Sequence, residues 1–197
     1  RYLADAGNEI ACHNYYHDNV NTSNREDFSM ALDDAIDIIS QSSGKPVYGF
    51  RAPNFSIDLS DKWAYEEISK RFLYDSSVVS STRNSCERAT DIITFGDNHL
   101  MEFPVFSYKL MPKINVRVIG GTYLKILPLK VILWLMRKAV NEGFVPLIYI
   151  HPYEVLYDNE FWVSNNDMSD VSLKKRIYWQ VRQNQWLKFG NKGLIRK

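Results

Sequence analysis

Two histidines, His13 and His17, follow a short apolar run in Glu9-Ile10-Ala11-Cys12-His13-Asn14-Tyr15-Tyr16-His17-Asp18. Neutral imidazoles at this spacing can grip one metal ion, and a hydrolytic metal site adds about one further protein ligand and an open position for water. The bare His-x-x-x-His spacing is also met in hydrogen-bonded surface loops, so a second chemical group is needed. His151 supplies it: in Leu147-Ile148-Tyr149-Ile150-His151-Pro152-Tyr153-Glu154 a strongly apolar run delivers an imidazole to its C-terminal end. An imidazole there can serve as an acid near neutral pH or cap the strand end. Cys12 is the last residue of its run and points away from His13, which argues against a thiolate ligand. His99, in Asp97-Asn98-His99, reads as a turn residue.

The elements that must position these groups alternate. A chain of 197 residues, 45% hydrophobic, with 14% aromatic residues and a formal charge of +1, reads as one folded domain with no global push toward nucleic acid. Cys12 and Cys86 are too few and too far apart for a disulfide framework. The longest apolar stretch, Tyr123 to Met136, is broken by Lys125, Pro128 and Lys130 and is too short to span a bilayer. Arg1 to Gly7 reads as the last turn of a helix closed by glycine, so the chain begins within an element and its localisation is unreadable. No oligomerisation pattern stands out.

After a Glu9 to Cys12 strand, Ser23-Asn24-Arg25-Glu26 has the form of a capping box opening a helix with Phe28, Leu32, Ile36 and Ile39 on one face. Gly44 and Pro46 end it, and Val47 to Phe50 is the next strand, running into Arg51-Ala52-Pro53-Asn54-Phe55-Ser56. Ser60 or Asp61 caps a helix carrying Trp63, Ile68 and Phe72; Tyr74 to Val79 is a strand, and Ser80 to Asp91 a polar loop. Ile92 to Phe95 and Met101 to Phe106 form short strands or a hairpin around Gly96-Asp97-Asn98. A helix from about Pro128 to Glu142 carries the stripe Leu129, Ile132, Leu133, Met136 and Val140; a Val145 to Ile150 strand and a helix from Leu173 to Leu187 follow. Strands and helices in alternation, with near-continuous apolar strands, imply an α/β fold with parallel pairing. Loops after strand ends then gather at one end, so His13, His17, Arg51, Asp75 and His151 are expected to converge.

In order along the chain these segments resemble the polysaccharide deacetylases of carbohydrate esterase family four, the NodB-homology domain. Gly7 to His17 is similar to the second motif of that family, Arg51-Ala52-Pro53-Asn54-Phe55-Ser56 to the third, Tyr74-Asp75-Ser76-Ser77 to the fourth and Ile150-His151-Pro152-Tyr153-Glu154 to the fifth. Glu102-Phe103-Pro104 and the Gly120 to Pro128 segment resemble its branch associated with bacterial exopolysaccharide biosynthesis. The resemblance implies an irregular (β/α) barrel of the NodB-homology type lacking its first strand, with residues 1–197 as a single, N-terminally incomplete catalytic domain. The first motif of the family, an Asp pair that provides the catalytic base and the third metal ligand, would lie before Arg1. Asn14 stands where a hydroxyl residue is usual, Asn54 where many members have Tyr, and Tyr149 where many have Leu.

By this resemblance the chain removes N-acetyl groups from amino sugars of a bacterial polysaccharide, located in the cytoplasm or the cell envelope. His13 and His17 hold a divalent metal, usually zinc, which lowers the pKa of its water and polarises the acetyl carbonyl. His151 is the general acid that protonates the leaving nitrogen, Asp75 orients it, and Arg51 holds the Asp base. A plain salt bridge is the competing role for Arg51, and a loop-initiating turn for Asp75. The backbone N–H of Asn54 helps bind the oxyanion. Tyr15, Tyr16, Tyr123 and Tyr153 lie on candidate site loops and either stack on a sugar ring or sit half-buried. The competing class is a non-catalytic carbohydrate-binding descendant that lost the Asp motif. Trp63 and Trp134 are read as core residues.

Overall fold

Asn24, not Ser23, opens the first long helix: its side-chain oxygen accepts the Asp27 N–H at 2.9 Å, and its amide donates to the Asp27 carboxylate at 2.7 Å. The cap thus sits one residue later than the Ser-x-x-Glu pattern suggests, because an Asn-x-x-Asp pair satisfies the same orphan amide. The computed structural model describes residues 1–58, 60–80, 91–111, 114–116, 120–155, 162–164, 166–184 and 187. The expected polar loop 81–90, with Cys86, and the basic tail lie outside them. The described chain divides into two compact units, Arg1–Ser107 with Glu142–Val145, and Tyr108–Asn141 with Pro146–Lys197.

The first unit begins with a single helical turn, α1 (Tyr2–Asp5), closed by Gly7 at φ 88°. Helix α2 (Arg25–Ser43) ends at Gly44, whose φ of 71° supplies the left-handed closure. Strand β1 (Gly49–Phe50) and helix α3 (Lys62–Ser69) follow, then β2 (Tyr74–Asp75), β3 (Val79–Ser80), β4 (Asp91–Phe95), β5 (Asn98–Glu102) and β6 (Val105–Phe106). One sheet runs β1-β2-β5-β4, with β1, β2 and β5 parallel and β4 turned back against β5 in the expected hairpin. A second, two-stranded sheet pairs β3 with β6 in parallel. The single strand expected over Tyr74 to Val79 is therefore split, its halves serving different sheets, and Met101 to Phe106 divides the same way. Glu9 to Cys12 pairs only at Cys12, which bridges Phe50 in parallel. The result is an α/β arrangement of parallel strands and outer helices.

Phe28, Leu32, Phe50, Ile68, Phe72 and Leu100 lie at the centre of the core, with Ile36, Ile39 and Trp63 packed partly buried against it. Phe28 stands edge-on to both Phe50 and Trp63. Two helices are locked by charge as well as packing. Glu67 on α3, nearly buried, accepts from Arg25 (2.8 Å), Lys70 (2.7 Å) and Arg71 (3.0 Å), while Arg71 also grips Asp33 of α2. Burial opposes ionisation of Glu67, but the three cationic donors overcome it and hold its carboxyl down at about 2.

The second unit contains the antiparallel pair β7 (Tyr108–Met111) and β8 (Ile114–Val116), helices α4 (Gly121–Ile126), α5 (Leu129–Asn141), α6 (Pro152–Val155) and α7 (Leu173–Gln183). Helix α5 buries Ile132, Leu135 and Ala139, whereas Leu129, Leu133, Val140 and Trp134 are exposed. The stripe read from the sequence is thus rotated by about one residue's turn: so many positions of α5 are apolar that periodicity alone does not select the buried face. The expected Val145 to Ile150 strand is reduced to a single bridge at Tyr149, with Gly120. A buried side-chain amide closes this unit locally: Gln183 accepts the Val163 N–H at 2.6 Å and donates to the Val163 carbonyl at 3.0 Å. Among the described residues no helix is long and apolar enough to cross a membrane.

Candidate functional site at the strand ends

The parallel ladder brings four exits from the sheet side by side. Cys12 donates its N–H to Gly49 and accepts from Arg51; Ser76 donates to Phe50, and Phe103 to Asp75. His13, Arg51, Ser76 and Phe103 therefore stand at the same C-terminal edge of neighbouring strands, where α/β folds place their ligands.

His13 turns outward at this edge while Cys12 points into the core, the alternation expected of extended backbone. Burial pushes the Cys12 thiol up to about 11, so it is no thiolate ligand. His13 Nδ1 lies 2.7 Å from the Arg51 carbonyl oxygen. A carbonyl only accepts, so Nδ1 carries hydrogen and the lone pair of the neutral ring belongs to Nε2, the arrangement that prepares an imidazole for a metal. The His17 ring stands edge-on to it with centroids 4.9 Å apart. The loop between them is set by its own residues. Asn14 and His17 both have left-handed backbone, at φ 62° and 59°, and the Asn14 amide donates to the Asp18 carbonyl at 3.2 Å. Asn tolerates that conformation well, and here its side chain provides the loop closure that the departure from a hydroxyl residue called into question.

Arg51 is anchored twice to one residue: Nε donates to the Ser76 carbonyl at 3.0 Å and Nη2 to Ser76 Oγ at 2.8 Å. Its guanidinium carbon also lies 5.7 Å from the centre of the Phe55 ring. Ser76 Oγ in turn donates to the Phe103 carbonyl. Beyond Arg51 the chain makes a tight turn, η1 (Pro53–Phe55), in which Asn54 and Phe55 both take φ 56°. The Asn54 amide donates to Asn19 Oδ1 at 2.8 Å, and Ser56 Oγ accepts the Val20 N–H at 3.0 Å, tying this turn to the histidine loop. The non-glycine residues with left-handed backbone thus all lie in the two loops of this site among the described residues, and such strain concentrates where function over-determines geometry.

Asp75 is wholly buried. Its carboxylate accepts the Ser77 hydroxyl at 2.7 Å and the Ser77 N–H at 2.9 Å, and Ser77 Oγ accepts the Ala52 N–H at 2.7 Å. Glu102, equally buried, is its register partner on β5. Burial, with the Asp75 charge added, pushes the Glu102 carboxyl well above the ordinary carboxylate range; burial raises Asp75 as well.

His151 belongs to the second unit. Glu154 Oε2 accepts the His151 N–H at 2.9 Å and lies 3.3 Å from His151 Nδ1, a capping box at the start of α6 that also sets a carboxylate on the imidazole. Glu154 is buried; that opposes its ionisation, but the contacts to His151 and the charge of Lys125 bring its carboxyl below the ordinary value. The ring of Tyr149 lies across Gly120 so closely that a Cβ there would be 2.3 Å from it. Tyr123, on α4, is half-exposed. The side chain of Tyr153 lies outside the described residues.

Of the residues expected to converge, His13, His17, Arg51 and Asp75 are brought together in the first unit. Among the described residues no group of three or more His, Cys, Asp or Glu side chains stands ready to hold a metal. The donor set fits two positions of a zinc-type site, two imidazoles with at least one correctly tautomerised, and leaves a third ligand to be supplied. Sequence reasoning missed Ser76, Ser77, Glu102 and Glu154 as functional neighbours. Each lies within a segment already singled out, and Glu154, three residues beyond His151, carries the spacing of a capping box.

Residues 1–71 match the family described as Polysaccharide deacetylase. Residues 76–185 match the Domain of unknown function (DUF3473), and the chain belongs to that family. In fold the chain is similar to a crystal structure from Mycobacterium smegmatis assigned as a polysaccharide deacetylase, with a TM-score of 0.51 and 20% identity over 93% of this chain and 66% of that one. The chain thus spans about two thirds of that structure's length. No curated protein matches the chain.

Proposed function

We propose that this chain is the deacetylating domain of a bacterial polysaccharide deacetylase of the exopolysaccharide-biosynthesis type, hydrolysing N-acetyl groups of amino sugars with a divalent metal, most simply Zn2+. In this reading residues 1–197 are a single catalytic domain, and its fold is the irregular (β/α) barrel. The observation that carries the reading is the His13–Arg51 contact: the strand end that bears Arg51 fixes the tautomer of the first of two adjacent imidazoles. When bound at His13 and His17, zinc would supply Lewis acidity and an activated water.

The chain's own residues do the rest. Arg51, held by Ser76 and lying beside Phe55, keeps its carbonyl fixed on His13 and presents a cation at the strand ends, where it can hold a carboxylate base. Asp75 secures the turn that carries Asn54, whose backbone N–H is assigned to the acetyl oxygen as negative charge develops on it. His151 donates the proton to the departing amine, its ring held by Glu154. Tyr123 and Tyr153 bind the sugar. A third metal ligand and the base are required beyond the described residues. The partner is an N-acetylated polysaccharide or oligosaccharide.

Titration calorimetry with Zn2+, alongside acetate release from N-acetylglucosamine oligomers, tests this. Zinc binding and acetate release that are both lost in His13→Ala support the reading. A folded protein that binds the oligomers but neither binds zinc nor releases acetate replaces it with a non-catalytic carbohydrate-binding role.

A further inference from the structure

Glu102, paired with Asp75 beneath the site, has no part in the chemistry derived above. Both side chains are wholly buried, at register-matched positions on adjacent parallel strands. Each carboxylate oxygen of Asp75 accepts one hydrogen bond from Ser77, which leaves further lone pairs to accept another. Glu102 Oε1 accepts the Val78 N–H at 3.1 Å, whereas among the described residues no donor reaches the buried Oε2. A buried carboxylate oxygen left without a donor beside a second carboxylate is strongly unfavourable. A proton on Glu102 removes that cost: the orphaned acceptor becomes a donor, and the facing group that can accept is Asp75. Among the described residues, the charged and titratable groups of the flanking strands are Arg51, which follows β1 and is held by Ser76, and Tyr74, whose hydroxyl donates to Glu9.

We propose that Glu102 is a positioning residue of the strand-end site: its protonated carboxyl donates to Asp75, and through Ser77 and the Ala52 N–H this hydrogen-bond chain fixes the turn that carries Arg51 and Asn54. No bond other than hydrogen bonds forms or breaks; the proton is kept at Glu102 and shared with Asp75. A glutamine at position 102 reproduces the neutral donor, and a leucine removes it while keeping the volume. The inference deepens the proposed function and rests on it only for its consequence in catalysis.

The decisive experiment follows Ala52 amide protection by hydrogen exchange across pH, with Ile68 as a core reference, together with carbon NMR of the Glu102 carboxyl. Glu102 is expected to remain protonated at neutral pH, and Ala52 protection to fall about tenfold or more at higher pH as the shared proton is lost. Glu102→Gln keeps Ala52 protected at all pH values, and Glu102→Leu lowers its protection throughout while Ile68 is unchanged. A Glu102 carboxyl that titrates in the ordinary range, or Ala52 protection equal in the Gln and Leu variants, overturns the proposal. Should Glu102→Leu fail to fold, the pH series on the wild type and Glu102→Gln decides alone. Acetate release from the same proteins separates the two readings: an inactive wild type with the expected exchange pattern refutes the deacetylase function and leaves the positioning role standing.

Discussion

His13 donates from Nδ1 to the carbonyl oxygen of Arg51 across 2.7 Å, a bond between residues 38 positions apart. It exists because Cys12 and Phe50 are bridged in parallel, so that the next residue of each strand leaves the sheet beside the other. One backbone pairing therefore fixes an imidazole tautomer.

This relationship predicts how zinc affinity responds to mutation. His13→Ala and His17→Ala should each weaken Zn2+ binding by more than about 100-fold, since loss of even an indirect support for a ligand costs about 10- to 100-fold. Calorimetry on the two variants checks it, and unchanged affinity in either removes that residue from the ligand set.

Arg51→Lys should behave as a non-conservative change. An ammonium cannot reproduce the paired bonds to the Ser76 carbonyl and Oγ or the guanidinium face against Phe55. A loss of about 1–2 kcal/mol in denaturant unfolding is expected, with a larger proportional loss of acetate release.

Glu67 predicts an acid-sensitive step in stability. Its carboxyl titrates at about 2 in the folded chain against an ordinary 4.5, so its contribution is fully present above about pH 4.5 and disappears as pH falls toward 2. Glu67→Gln should destabilise the protein at pH 7, by about 2–3 kcal/mol given three cationic partners, and flatten the wild-type decline between pH 5 and pH 2. Urea unfolding at a series of pH values reads both.

Gly120→Ala should destabilise the second unit, because the new Cβ would fall 2.3 Å from the Tyr149 ring. A cost of about 1–3 kcal/mol is expected for such overpacking, and Tyr149→Ala should relieve most of it in the double variant. Additive effects of the two substitutions in thermal unfolding would show that the ring does not lie over the glycine.

Cys12 should resist thiol reagents in the native protein and react on unfolding. Burial both hides it and raises its thiol to about 11, leaving little thiolate at neutral pH. Peptide-resolved labelling with and without denaturant tests this, and rapid native labelling of Cys12 would place it outside the core.

What the sequence by itself determined was local. Gly44 marks the end of α2, the alternation at Cys12 and His13 separates core from site, and the Gly96-Asp97 turn sets the β4–β5 hairpin, each through residue conformations or side-chain periods that act within a few positions, whereas the start of α2 was read one residue early. The histidines and Arg51 were legible because their residue types limit the chemistry they can do. Tertiary structure decided the rest. Which face of α5 is buried depends on what packs against it, since apolar residues occur nearly all around that helix. The splitting of Tyr74 to Ser80 between two sheets depends on β5 and β6, which lie outside any local window. Above all, Glu102 reads as an ordinary charged residue until parallel pairing sets it beside Asp75 in the interior, where burial pushes both carboxyl groups toward the protonated form.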